Sequence, residues 1–117
     1  MTARTDQCAE LRAATERLAK SPDEQAAYLS SLGVGDLADE LGLEFDDFYQ
    51  SVQHWITDTN VSKELAAVDG ALSDLSSHQD LWSTASLRTA PEWQVIRDLA
   101  ARALELTWTV REDLAAP

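Results

Sequence analysis

The apolar positions of this chain recur every three or four residues, which is the period of an amphipathic α-helix. The clearest run is Val61, Leu65, Val68, Leu72 and Leu75. Its alternating spacing of four and three residues is typical of a helix that packs nearly antiparallel against a neighbour. No segment of useful length shows the alternation of a half-buried β-strand. The pattern therefore predicts an all-α fold.

The same pattern predicts a single-domain bundle of four or five helices over residues 1–117, with a central antiparallel helical hairpin. The first helix covers about residues 6–20. The second begins at Ser21-Pro22-Asp23-Glu24, which combines a serine N-cap, a proline at the first helical position and the glutamate of a capping box. We expect it to end at Gly33, because glycine adopts the left-handed conformation of a helix C-cap at little cost.

A third segment begins at Asp36 and places seven apolar residues on one arc of a helix. They are Leu37, Leu41, Phe45, Phe48, Val52, Trp55 and Ile56. Gly42 lies within this segment, so two alternatives remain open: one long helix, or two shorter helices with a turn at Gly42. Residues 57–60 are rich in capping residues and predict the turn that leads into the helix over 61–75.

The segment from residue 76 to residue 90 contains many serines and threonines. It predicts a loop that crosses the bundle, with one helical turn anchored by Trp82. Thr89-Ala90-Pro91-Glu92 then predicts a capped start of the last helix. The apolar face of that helix extends from Trp93 to Leu114, which indicates a central position in the bundle.

Charge is distributed unevenly along the chain. The formal net charge is -12, and all of it arises between Lys20 and Arg88, where 13 acidic residues and only one base, Lys63, occur. In the rest of the chain, acidic and basic residues are equal in number. A hydrophobic content of 44% with four Trp indicates a folded body rather than a disordered acidic chain. Such an acidic field disfavours nucleic acid and attracts basic partners.

The predicted location is the cytoplasm. The first ten residues lack the apolar core of a signal peptide, and no run of about 18 apolar residues predicts a membrane span. The single cysteine, Cys8, allows no internal disulfide, which is typical of a reducing compartment. Seven Arg against two Lys, with abundant Ala, is typical of a protein from a bacterium with a GC-rich genome.

Catalytic and metal-binding patterns are weak. The glycines form no phosphate-binding loop, and no Ser or Cys has the context of a nucleophile. His54 with Asp58 and Asp74 with His78 are i,i+4 pairs, but in the predicted hairpin the two histidines lie roughly 20 Å apart. We therefore expect neither a metal site nor a cofactor.

Residues 34–43, VGDLADELGL, resemble the first helix and turn of a helix-turn-helix DNA-binding motif, and the resemblance extends over roughly twenty residues to Ser51. It implies that the following helix would read DNA. That helix begins with Glu44, Asp46 and Asp47, whose carboxylates would repel phosphates. The segment is then either an ordinary amphipathic helix, which we favour, or a degenerate motif that no longer reads DNA, and we expect no nucleic-acid partner.

The acidic residues of the third segment form the first candidate site. On one continuous helix, a narrow stripe opposite the apolar face carries Asp36, Glu40, Asp47, His54 and Asp58, and Asp39 and Asp46 lie beside it. The predicted partner-binding residues are Asp36, Asp39, Glu40, Asp46, Asp47 and Asp58. The stripe is either a solvated helix face or a docking surface for a cationic partner, and the lack of nearby Lys and Arg favours docking.

Trp108 marks a second candidate surface. The helical wheel places it near the polar side of the last helix, with Arg97, Leu104 and Arg111. Trp beside Arg is a composition typical of interface anchors, so these four residues form a possible oligomer interface. The alternative is that another helix covers Trp108 or that Arg111 stacks on its ring.

The function best supported by the sequence is a non-enzymatic protein-binding domain that docks a basic partner, of an inhibitor-like, immunity-like or chaperone-like kind. The alternative is a homo-oligomeric structural or regulatory protein. An enzyme ranks third, because it would require carboxylates such as Glu40, Glu44 or Asp74 to converge on a pocket. Membrane binding is not expected.

Overall fold

A computed structural model describes residues 4–33, 38–106 and 108, which form six α-helices and two short 3-10 helices. The α-helices are α1 (Arg4–Ala19), α2 (Pro22–Leu32), α3 (Asp39–Val52), α4 (Thr59–Leu75), α5 (Thr84–Thr89) and α6 (Pro91–Leu104). The 3-10 helices are Gln53–Trp55 and Gln79–Trp82. These residues include no β-strand, and the predicted all-α bundle is confirmed.

The core lies around α1 and α6, which pack against each other. α1 also packs against α3, and α6 also packs against α4, whereas the short α2 and α5 contact each other at the side of the bundle. Leu11 and Leu18 of α1 and Trp93 of α6 are fully buried in this core. The last helix is therefore central, as predicted, and the first helix shares that position.

The ends of α2 follow the sequence signals. The Ser21 hydroxyl accepts a hydrogen bond from the Glu24 amide at 3.3 Å, and the Glu24 carboxylate accepts one from the Ser21 amide at 3.4 Å. Both bonds of the predicted capping box are thus present. Gly33 ends the helix with a φ of 72°, a left-handed value that residues with a Cβ adopt at a cost.

Gly42 does not interrupt α3, so the single-helix alternative is correct for residues 39–52. A Cβ at Gly42 would lie 3.3 Å from Leu72 Cδ2 of α4, which indicates that glycine makes room for the Leu72 side chain against α3. The helix-turn-helix resemblance therefore fails at its turn, while Val34 and Leu37 at its start lie outside the described residues. α3 also ends earlier than predicted, at Val52.

The segment predicted as a crossing loop is more ordered than expected. It contains the 3-10 helix Gln79–Trp82 and α5, whose start is capped by the Ser83 hydroxyl, and α5 brings the number of α-helices to six. The predicted threonine cap of the last helix is absent. Instead, the Thr89 hydroxyl donates to the Ala85 carbonyl at 3.2 Å, and α6 starts at Pro91 without a side-chain cap.

α6 ends at Leu104, ten residues before the predicted end at Leu114, and residues 107 and 109–117 lie outside the described part of the chain. None of the described helices combines the length and the apolar character needed to cross a bilayer.

Candidate functional site

A groove of about 650 Å³ separates the facing sides of α3 and α4. Its walls come from residues one helical turn apart on each helix, and the 3-10 helix before α5 contributes an aromatic ring. The lining residues are Asp39, Gly42, Leu43, Asp46, Asp69, Leu72, Ser73, Ser76 and Trp82. The groove is therefore built by α3 and α4 together with the segment that was predicted as a loop.

The middle of the groove is apolar. Gly42 removes the side chain that would otherwise fill it, so Leu72 and the Trp82 ring approach the α3 backbone. Leu43 lies beside this opening and is 51% exposed. An apolar ligand group could bury this surface from water.

Trp82 is held in place from behind. Its ring makes an edge contact with the ring of Trp93, at a centroid distance of 5.6 Å, and its carbonyl accepts a hydrogen bond of 2.8 Å from the Ala38 amide at the start of α3. The floor of the groove is therefore fixed by the core rather than by a mobile side chain.

Three carboxylates, those of Asp39, Asp46 and Asp69, surround the apolar floor. Among the described residues, the ion pairs are Arg17–Glu44, Lys20–Glu24 and Arg88–Asp23, so none of them neutralises a groove carboxylate. Asp46 accepts a hydrogen bond of 3.2 Å from the Gln50 amide, a neutral donor. The groove therefore presents uncompensated negative charge.

The two walls run antiparallel, because Gly42 faces Leu72 and the charge of Asp46 acts on Asp69. One end of the groove thus carries the Asp46–Asp69 pair, and the other end carries Asp39 near Ser76. Partial burial raises the pKa of Asp69 above its ordinary value, and repulsion by the Asp46 carboxylate raises it further. The paired end is the more strongly negative one.

Replacing Asp69 with asparagine should stabilise the protein at neutral pH. The variant removes a partly buried charge and its repulsion with Asp46, an effect of about 0.5 kcal/mol for like-charged neighbours. Because the folded state binds a proton at Asp69 more tightly than the unfolded chain does, the wild type loses stability as the pH rises through that raised pKa. The advantage of Asp69→Asn should therefore shrink as the pH is lowered from about 7 to about 4.

Urea denaturation at several pH values measures this effect. Asp74→Asn is the matched control, since Asp74 lies on the same helix, is exposed and shows no such burial. Equal effects of the two substitutions at neutral pH would contradict the electrostatic explanation.

The predicted acidic face does not form one stripe. Asp39 and Asp46 line the α3–α4 groove, whereas Asp47 points to a second groove between α3 and α1, which it shares with Asp6 and Glu10. Glu40 also lies on the side of α3 away from the α3–α4 groove. Burial is the largest cause of the raised pKa of Tyr28 in α2, and the charge of Glu40 raises that pKa further.

Asp58, another predicted face residue, is not on α3. Asp58 is the N-cap of α4, and its carboxylate accepts a hydrogen bond from the Val61 amide at 3.0 Å. The continuous helix assumed for the stripe ends at Val52, so Asp58 cannot extend it. Asp36 lies outside the described residues.

Glu44 joins three helices rather than facing a pocket. Its carboxylate accepts hydrogen bonds from Arg17 Nε of α1 at 3.0 Å and from Tyr28 Oη of α2 at 2.5 Å. The Arg17 guanidinium also lies 4.8 Å from the centre of the Tyr28 ring. Asp74, another carboxylate considered for catalysis, is exposed on α4. The contacts of Glu44 are those of a structural link.

The predicted oligomer interface is changed by the structure. Arg97 is only 6% exposed and donates hydrogen bonds to Gln25 and Gln94, so it cannot supply a surface contact. The Trp108 indole donates to the Ala103 carbonyl at 2.8 Å, and the Arg12 guanidinium stacks on its ring at 5.3 Å from the centre.

Leu104, the third described member of that set, is partly buried, and its carbonyl accepts a hydrogen bond from Arg12 at 3.4 Å. Arg111 lies outside the described residues. Self-association through Trp108 and Leu104 remains a prediction.

Histidines and acids do not assemble into a metal site in the described parts of the chain, where no group of three potential ligands comes together. His54 and His78 are both exposed. His54 makes an edge contact with the neighbouring Trp55 ring at 5.8 Å between ring centres.

Sequence reasoning missed Asp69 and the role of Gly42. Asp69 was hidden because it lies on α4, outside the stripe considered on α3. The available signal was its position three residues before Leu72 of the buried seam, which places a carboxylate at the edge of a helix–helix contact. Trp82 was predicted to anchor the loop, but its exposure in a groove depends on tertiary packing.

The fold and the groove together define a small all-α protein with an acidic cleft over an apolar floor. No family model, curated protein or solved structure matches the chain.

Proposed function

We propose that this protein is a non-enzymatic binding domain that docks a basic segment of a partner protein in the α3–α4 groove. The observation that carries the proposal is one cleft that combines an exposed apolar floor with three carboxylates, none of which forms an ion pair with a described residue. An inhibitor-like, immunity-like or chaperone-like role is consistent with binding of this kind.

The charge arrangement supports recognition in two stages. At a distance, the acidic middle of the chain attracts a cationic surface and raises the rate of encounter. At contact, the carboxylates of Asp39, Asp46 and Asp69 pair with Lys or Arg, while Leu43 and Trp82 bury apolar groups of the ligand. The repulsion between Asp46 and Asp69 would be relieved by a cation, so part of the cost of building the groove is recovered on binding.

Other partner classes fit less well. The groove carboxylates would repel the phosphates of nucleic acid, which supply most of the affinity in such complexes. A cytoplasmic location belongs to this proposal, because a single cysteine allows no internal disulfide and is typical of a reducing compartment.

Neutralising the groove should weaken binding of cationic peptides at least tenfold. The variant is Asp39→Asn with Asp46→Asn and Asp69→Asn, and the loss follows from removing three charge-assisted contacts, each contributing about 0.5–1 kcal/mol. Binding to an array of cationic peptides at low ionic strength measures the effect, and added salt should weaken the wild-type complexes because the Debye length falls below about 10 Å above 0.1 M.

The control carries the same change in net charge elsewhere. Glu16→Gln with Glu92→Gln and Glu105→Gln alters three exposed acids, on α1, on α6 and at the C-cap of α6, and we expect at most a twofold effect. A third variant, in which Asp6, Glu10 and Asp47 are neutralised, tests the second groove. Three outcomes would contradict the proposal. They are equal losses of affinity in the groove and control variants, a larger loss in the third variant than in the groove variant, and the absence of binding by any peptide.

A further inference from the structure

We infer that the segment docked in the α3–α4 groove is an amphipathic helix with an apolar anchor between two basic residues on the same face. This inference rests on the proposed function and specifies its ligand. It follows from how charge and apolar surface alternate along the groove.

The alternation has the period of a helix. On α3, the two groove carboxylates Asp39 and Asp46 are seven residues apart, about 10 Å along the axis, and the apolar positions Gly42 and Leu43 lie between them. On α4, Asp69 is likewise followed by Leu72 after one turn. A ligand helix with basic residues at i and i+7 and apolar residues at i+3 and i+4 reproduces these distances on one of its faces.

The walls also favour a helix over an extended chain. Within the described residues there is no strand whose edge could pair with an added strand, so β-augmentation has no template here. The backbone groups of α3 and α4 along the groove are engaged within their own helices. Recognition must therefore come from side chains, as it does when a helix occupies a groove between two helices.

The apolar floor of the groove favours this amphipathic helix over a polycation that lacks apolar residues. Leu43 is 51% exposed and Trp82 is partly buried beside the gap left by Gly42, so a ligand with charged residues alone would leave this apolar surface exposed to water.

The two ends of the groove also differ in charge. The Asp46–Asp69 end carries two carboxylates and the Asp39 end carries one, so the basic residue at the paired end should contribute more to the affinity.

Two peptides of identical composition test the inference. Each is a fluorescently labelled helix of about 15 residues with Lys at i and i+7. The first has Leu at i+3 and i+4, and the second has the same two Leu on the opposite face. We expect the first to bind at least tenfold more tightly in fluorescence anisotropy at low ionic strength, and to lose that advantage with the variant Asp39→Asn, Asp46→Asn, Asp69→Asn.

A variant of the floor provides the second readout. Leu43→Ser removes exposed apolar surface without changing charge, and it should lower the preference for the first peptide while the second peptide is unaffected. Asp46→Asn should weaken the first peptide more than Asp39→Asn does. Circular dichroism confirms that each variant remains folded.

The outcomes separate the two proposals. If both peptides bind equally and both depend on the groove carboxylates, the helix inference fails and the docking of basic segments stands. If neither peptide binds while other cationic peptides bind and depend on the groove carboxylates, the helix inference also fails and the docking of basic segments stands. If binding is insensitive to the groove carboxylates, both proposals fail.

Discussion

Replacement of Trp93 with alanine is expected to lower the free energy of unfolding by about 4 kcal/mol, because the largest fully buried side chain of the core is lost and leaves a cavity. The indole also donates a hydrogen bond of 2.7 Å to the Leu81 carbonyl, which ties the segment before α5 to α6. Since small domains have a total stability of about 5–15 kcal/mol, such a loss would bring this one close to unfolding at room temperature.

A conservative variant separates packing from hydrogen bonding. Trp93→Phe keeps an aromatic ring but loses the indole N–H, so we expect a smaller loss of about 1–2 kcal/mol. It should also weaken peptide binding, because Trp93 supports the Trp82 ring on the groove floor. Trp82→Phe is the comparison for stability, with a smaller effect at a partly exposed site. Urea denaturation followed by far-ultraviolet circular dichroism gives the values, and a larger loss for Trp82→Phe than for Trp93→Phe would contradict this assignment.

Replacement of Gln25 with leucine is expected to cost about 3 kcal/mol, although the volume of the side chain hardly changes. Gln25 is 1% exposed, and its amide nitrogen donates to the carbonyls of Arg17 and Leu18 at 3.2 and 3.0 Å. Its amide oxygen accepts from Arg97 Nη1 at 3.0 Å. Leucine would remove the donor to the Leu18 carbonyl and the acceptor of Arg97 Nη1, so the buried guanidinium would keep only Gln94 as an acceptor, which is costly.

Two further variants test the cause. Gln94→Leu removes the other acceptor of Arg97, but Gln94 is exposed and water can replace it, so we expect at most about 1 kcal/mol. In the double variant Gln25→Leu, Arg97→Met, the stranded charge is absent. The loss should then be smaller than the sum of the two single losses. Additive losses would indicate that the two residues act independently.

Local signals in the sequence predicted several helix ends correctly. The capping box at Ser21 and the C-cap at Gly33 depend on residues within one helical turn, and both are present in the structure. The start of α6 at Pro91 was predicted correctly for the same reason, whereas the threonine cap was not, because a threonine hydroxyl can also bond back to its own preceding turn.

The candidate site was predicted only in part. Asp39 and Asp46 were recognised as acidic face residues, but the seven-residue spacing that places them on one side of α3 also separates them from Glu40 and Asp47. The sequence pattern described one stripe because it assumed that the helix continued to Asp58. The chain instead leaves the helix after Val52, and Asp58 becomes a cap.

Arg97 was predicted to lie at the surface, but it is buried in the structure. A charged residue near the edge of an apolar face is expected at the surface, and the helical wheel placed Arg97 there. Gln25, which is 72 residues away in the chain, supplies a buried acceptor that makes the interior position possible. A partner at such a distance leaves no periodic signal in either helix.

The sequence by itself determined the all-α class, the positions of most helices and the acidic character of the middle of the chain, because these follow from spacing and charge within each segment. Only the tertiary structure decided that α1 shares the centre of the core and that Asp69 and Trp82 meet Asp39 and Asp46 across one groove. The physical reason is that burial and charge pairing between helices depend on which faces meet, and that is a property of packing rather than of periodicity.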